Sequence, residues 1–139
     1  MRDKVIFGPA GKPIEFNGKA HESPEFLGPL GLYAFEYQST YGVRIGESSA
    51  LKLRESAEEN GVLMSMHCPY YVNVCSKEEE KIESTIDRLV QSAKVGEFMG
   101  AYRLVFHPGF YSGRKPETCM DLAKKTYTRL VRYFQSAKR

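Results

Sequence analysis

The segment Val62-Leu-Met-Ser-Met-His67-Cys-Pro69-Tyr70-Tyr71 has a second version further along, Tyr102-Arg-Leu-Val-Phe-His107-Pro108-Gly-Phe110-Tyr111. Each is a short apolar run, then a histidine, then a proline-stopped loop carrying two aromatics. Apolar runs of this length, bounded by turn signals, read as buried strands. Proline has no backbone N–H and turns the chain out of the ladder, which leaves each histidine at the C-terminal end of its strand. The histidines are forty residues apart, about the length of one strand–helix unit. A solenoid would repeat the pattern more often. The pair therefore reads as two successive βα units decorated alike.

The stretch between them supplies the helix. Ser76-Lys-Glu-Glu79 has the form of a capping box, and Ile82, Ile86, Leu89, Val90 and Ala93 follow at helical spacing on one face. Upstream, Leu32-Tyr-Ala-Phe-Glu-Tyr37 is rich in aromatics that favour strands, and a helix begins near Ser48 and runs through Leu51, Leu53 and Ala57 to Gly61, a fitting C′ residue. Ser23 with Pro24 at the first helical position could cap a short helix. Earlier still, Val5-Ile-Phe-Gly8 reads as a first strand entering a loop rich in glycine and proline. Downstream, a last helix opens near Pro116. It sets Met120, Ala123, Tyr127, Leu130, Val131 and Phe134 along one side, with Lys124, Lys125, Arg129 and Arg132 as a solvated outer face, and runs on towards Lys138-Arg139 without an obvious cap.

Strands alternating with helices imply parallel strands joined by right-handed crossovers, with helices covering the sheet. The expectation is an α/β protein of about four βα units, one domain over residues 1–139. A closed (β/α)₈ barrel typically needs about 250 residues. Length therefore favours an open sheet or the first half of a barrel.

Composition narrows the function classes. Apolar residues are 42% and charged residues 27% of the chain, a globular balance that argues against disorder. No stretch approaches the ~20 apolar residues of a membrane span, and the N-terminal apolar run is too short for a secretory signal. A cytoplasmic protein with no membrane partner is expected. The net charge of +3 permits a polyanionic partner without announcing one. Cys68, Cys75 and Cys119 are odd in number and lack C-x-x-C spacing, which argues against a disulfide framework or a zinc ribbon. P-loop, G-x-G-x-x-G, G-x-S-x-G and H-E-x-x-H patterns do not occur, which argues against nucleotide-fold, serine-hydrolase and zincin chemistry.

The chemistry rests on His67 and His107. Ends of adjacent parallel strands lie ~4.8 Å apart, so two imidazoles there can converge on one ion. A lone strand-end histidine is more often a structural hydrogen-bonding residue; two in equivalent places fit a metal site better. Two nitrogens do not complete a zinc site, which takes three or four ligands. Glu36, at the end of the second strand, is one candidate for a further ligand, and a source outside this chain is the favoured alternative. His21 has no such context and reads as a loop residue. Tyr70, Tyr71, Phe110 and Tyr111 either pack beneath their loops or project to stack on a base. Asn73 either holds its loop by side-chain-to-backbone bonds or contacts a phosphate oxygen.

At these residues the chain resembles the endonuclease IV family (apurinic/apyrimidinic endonuclease family 2) of the xylose-isomerase-like TIM barrels. His67-Cys-Pro-Tyr70-Tyr-Val-Asn73 resembles that family's H-x-x-Y-x-x-N motif, and His107-Pro-Gly109 its H-P-G motif. The resemblance covers nearly the whole chain but only the first half of the family's barrel. It implies that His67 and His107 are zinc ligands and that Tyr70 lies in a loop that opens DNA at an abasic site. Tyr71, Asn73 and Tyr111 are the further candidate DNA contacts. In that family a cluster of three zinc ions binds the scissile phosphate and supplies the attacking hydroxide, the remaining ligands coming from strands five to eight. The implied function is hydrolysis of DNA phosphodiesters in base-excision repair, with little or no activity from this stretch alone. A homodimer completing the barrel is a further expectation. The alternatives are a sugar isomerase or epimerase of the same superfamily, and a non-catalytic binding module with structural histidines.

Overall fold

A computed structural model of the chain describes residues 5–137; the terminal pair Lys138-Arg139 lies outside the described residues. Three parallel strands, β1 (Ala34–Gln38), β2 (Leu63–His67) and β3 (Leu104–Val105), form a sheet in the order β1-β2-β3. The α-helices are α1 (Ser23–Leu27), α2 (Glu47–Glu59), α3 (Glu79–Phe98) and α4 (Pro116–Ala137). This is a partial TIM-barrel-like α/β fold.

Strand alternation decides what each face of the sheet carries. Phe35 pairs with Met64 and Tyr37 with Met66, and Phe35, Met64 and Met66 are buried in one core with Leu53 and Ala57 of α2. The intervening positions, Glu36 beside Ser65 and Gln38 beside His67, point to the opposite face. Apolar side chains thus face the helices while polar and titratable ones gather on the other side. A second core under α3 and α4 joins Val72, Val74, Ile82, Ile86, Leu89, Ala123 and Leu130, and Leu104 of β3 packs against both cores.

Several sequence expectations are corrected. The run Val5–Gly8 forms no regular strand. Residues 7–11 instead lie along β1 through Ala34 N–H to Phe7 O (3.2 Å), Glu36 N–H to Pro9 O (3.1 Å), Gly11 N–H to Glu36 O (2.9 Å) and a single parallel bridge, Ala10 to Glu36. Pro9 has no N–H to offer, and Gly8 lies so close that an added Cβ would come within 1.5 Å of the Ala34 carbonyl oxygen. Among the described residues, three regular strands therefore stand where four units were expected. The fourth run, 102–107, keeps only two strand residues because it is an edge with one neighbour. Its pairing still continues as Tyr102 N–H to Met64 O (3.0 Å) and Cys68 N–H to Val105 O (2.8 Å).

The helix termini also differ. Ser76 does not cap α3; its hydroxyl accepts the Glu78 N–H at 3.1 Å, and the helix starts beyond Glu78. Ser23 is the first residue of α1, not its cap, since a 3₁₀ turn over Ala20–Glu22 precedes it. Gly61 does follow the Asn60 C-cap of α2, with φ +65°. On α4 the buried line is Cys119, Ala123, Thr126 and Leu130, whereas Met120, Tyr127 and Val131 are exposed. Thr126 turns inward because its hydroxyl donates to the Val74 carbonyl at 2.9 Å.

Candidate metal centre

His67 is the last residue of β2 and is 9% exposed. Its backbone carbonyl accepts the Ser39 N–H at 3.0 Å, which fixes the strand end against the turn after β1. Its Nδ1 lies 2.8 Å from the Cys68 carbonyl oxygen. A carbonyl only accepts, so Nδ1 carries a proton, which leaves Nε2 as the nitrogen through which the ring would bind a metal. His107, two residues past β3, is exposed, and its ring centroid lies 5.2 Å from that of His67. Tyr70 closes a triangle, with its centroid 5.6 Å from His67 and 5.0 Å from His107.

The residues fit a shared ion as far as they go. With Zn–N bonds of about 2.0–2.1 Å, two imidazoles on one tetrahedral zinc have ring centroids roughly 5 Å apart. The observed separation meets that value. Among the described residues there is no group of three His, Cys, Asp or Glu side chains that could hold a metal. Glu36 does not join the pair: it is the central residue of β1, in register with Ser65, whose hydroxyl donates to its Oε2 at 3.3 Å. Gln38 is the register partner of His67, and a strand-end glutamine carries no signal in the sequence to single it out. His21 stands apart, in the 3₁₀ turn near Glu22.

The two motif loops interlock. Val74 N–H donates to the Pro108 carbonyl at 2.8 Å. Asn73 Oδ1 accepts the Cys75 N–H at 3.0 Å, so this oxygen holds the loop, while the Asn73 N–H donates to Thr85 Oγ1 at 3.1 Å. Gly109 lies directly against Asn73: a Cβ there would come within 2.4 Å of Oδ1, and its φ is +128°. The asparagine of the first motif and the glycine of the second are thus a matched contact. Tyr70 N–H is tied to the Thr40 carbonyl at 3.3 Å.

The other aromatics belong to the loop surface. Tyr71 is exposed, and its carbonyl accepts from Arg88 at 2.8 Å. Phe110 and Tyr111 are exposed too, and their carbonyls accept from Arg114 at 3.2 and 3.1 Å. Both line a groove against α4. The structure therefore brings His67, His107 and Tyr70 together, and sets Tyr71 and Tyr111 on the flanking loops.

Comparison with known proteins gives the family and the fold. Residues 27–138 match the family described as Xylose isomerase-like TIM barrel. The chain belongs to the xylose isomerase-like TIM-barrel family. A relative within reach of sequence is the uncharacterized protein MJ0133 of Methanocaldococcus jannaschii, 37% identical over 127 residues, covering 91% of this chain and 45% of that protein. This member of the xylose isomerase-like TIM-barrel family thus spans about half the length of the curated relative it matches. Three solved structures share the fold. Endonuclease IV from Thermus thermophilus has TM-score 0.65 at 22% identity, covering 91% of this chain and 47% of its own. SacUVDE has TM-score 0.61 at 19% identity, covering 76% and 40%. A D-tagatose 3-epimerase-like protein has TM-score 0.66 at 17% identity, covering 82% and 44%. Identities this low speak for architecture alone. Among the described residues no helix is long and apolar enough to cross a membrane.

Proposed function

We propose that this chain is the N-terminal part of a zinc-dependent apurinic/apyrimidinic endonuclease that hydrolyses DNA phosphodiesters at abasic sites. The observation that carries the reading is the His67–His107 pair, at 5.2 Å, with the Tyr70 ring against both. His67 and His107 would hold zinc, which when bound supplies Lewis-acid polarisation of a phosphoryl oxygen. Cys68 keeps the His67 ring oriented through its carbonyl. Tyr70, Tyr71 and Tyr111 offer rings for stacking where a duplex lacks a base, and Asn73 shapes the first of their loops. Two nitrogens do not complete the site, so the stretch alone is expected to cleave little or nothing. Two copies meeting along the open β3 edge would supply a second set of strands.

Zinc-loaded protein should prefer an abasic duplex to an intact one in a fluorescence anisotropy titration, and Tyr70→Ala should erase the preference. Equal affinity for both duplexes, or cleavage of the abasic strand at a full-length enzyme's rate, would contradict this reading. A sugar isomerase or epimerase is the second reading, supported by the fold shared with the epimerase-like protein. The exposed aromatic loops favour an extended polymer over a small polyol, because sugar sites usually enclose their ligand. Turnover of a ketose without abasic-duplex affinity would decide for the sugar.

A further inference from the structure

The two histidines are held in different ways. His67 is fixed by its strand and by the carbonyl of Cys68. His107 is exposed and lies two residues past β3, so its place depends on the backbone to either side. Both sides are tied to the loop that follows His67. Upstream, the Cys68 N–H donates to the Val105 carbonyl at 2.8 Å; downstream, the Val74 N–H donates to the Pro108 carbonyl at 2.8 Å. The chain between has little freedom. Proline fixes its own φ, and the residue before a proline is confined to extended conformations. Where Val74 goes, the Pro108 carbonyl and the His107 backbone follow.

Val74 is in turn held by a distant element. Its carbonyl accepts the Thr126 hydroxyl of α4 at 2.9 Å, across 52 residues of sequence. We propose that Thr126 is a positioning residue for the candidate metal centre. Acting through the Val74 peptide and the Pro108 carbonyl, it sets how far His107 stands from His67.

Three observations carry this. Val74 is 0% and Thr126 2% exposed, so water does not replace the bond. A buried carbonyl left unpaired is costly, and its loop shifts to find another donor. Second, a helical threonine can spend its hydroxyl on the carbonyl four residues back. That carbonyl, of Leu122, stands at 3.2 Å, yet the single proton has the shorter path out of the helix to Val74. Third, the preceding residue is pinned elsewhere: the Asn73 N–H donates to Thr85 Oγ1 of α3 at 3.1 Å. Loss of the Thr126 bond would therefore swing Val74 about that pin and leave the rest of the loop in place. The consequence for zinc rests on the proposed metal reading; the consequence for ring placement does not.

The test compares the native chain with Thr126→Val, which keeps the shape without the hydroxyl, and Thr126→Ser, which keeps the hydroxyl. The first readout needs no metal: nuclear Overhauser contacts from the His107 ring to the rings of His67 and Tyr70. The native chain and Thr126→Ser should show them, and Thr126→Val should lose them while contacts within the first core persist. The second readout is zinc titration. Affinity should fall about tenfold in Thr126→Val, as for other groups that orient metal ligands, and stay near native in Thr126→Ser. Ring contacts that survive in Thr126→Val would overturn the proposal, marking the residue as merely structural. Their absence from Thr126→Ser or from the native chain would overturn it too, whether or not Thr126→Val folds. A native chain that keeps the ring contacts but binds no zinc would contradict the metal reading alone, and the ring contacts would still decide for or against Thr126.

Discussion

Gly109 shows how much of the site depends on one absent methyl group. Its φ of +128° is costly for any side chain, and the Asn73 side chain fills the space a Cβ would need. Gly109→Ala must either push Asn73 off the Cys75 N–H or open the Val74–Pro108 hydrogen bond. We expect it to destabilise the fold by about 2–4 kcal/mol, combining backbone strain and overpacking. Urea unfolding would read this as a lower midpoint, and an unchanged midpoint would mean the loops are not interlocked as described. At this scale the sequence is most informative where residue type and position act together. A histidine between an apolar run and a proline marks a strand end without help from the rest of the fold: His67 does end β2, whereas β3 stops at Val105 and His107 lies two residues beyond it. Ser76 misleads because a serine three residues before a glutamate suits a cap and an ST turn equally, and only the start of the helix at Glu79 decides between them.

Helices and strands are legible to the extent that their partners are inside this chain. The α3 face can be read from spacing because β2, β3 and α2 pack on it. The face of α4 cannot: its apolar residues span more than one stripe, and the line beginning at Cys119 is buried where the Thr126 hydroxyl meets Val74. Two substitutions on this helix separate packing from surface charge. Leu130 is 7% exposed in the second core, so Leu130→Ala should cost about 2–4 kcal/mol. Arg129 bonds Glu79 at 2.6 Å and also Glu83, joining α4 to α3 across an exposed surface. Ion pairs in that setting contribute about 0.2–1 kcal/mol and weaken with salt. Arg129→Ala should therefore fall well below Leu130→Ala in a denaturant series, with the gap widening in high salt. The reverse order would mean that charge, not burial, holds α4. The first strand is lost for a related reason: Val5–Gly8 looks apolar enough, but regular pairing fails where Pro9 withdraws a donor.

The described residues form a sheet with helices on one face only. Parallel sheets are ordinarily covered on both sides, yet here the second face carries Glu36, Gln38, Ser65 and His67. That asymmetry belongs to the inner surface of a barrel, as family membership and a span of about half a relative's length both indicate. It also leaves β3 as an open edge, with Val105 41% exposed. Open parallel edges invite pairing with another chain. Sedimentation velocity should accordingly show concentration-dependent dimers, which Val105→Lys should shift towards monomer. A sharp, well-folded monomer at every concentration would contradict the dimer.

The central claim is that His67 and His107 share one cation. The direct measurement is zinc titration against a chromophoric chelator, comparing the native chain with His67→Ala/His107→Ala. The predicted result is uptake by the native chain that the double variant loses while its circular dichroism stays unchanged. Equal uptake by both, or none by the native chain, would contradict it.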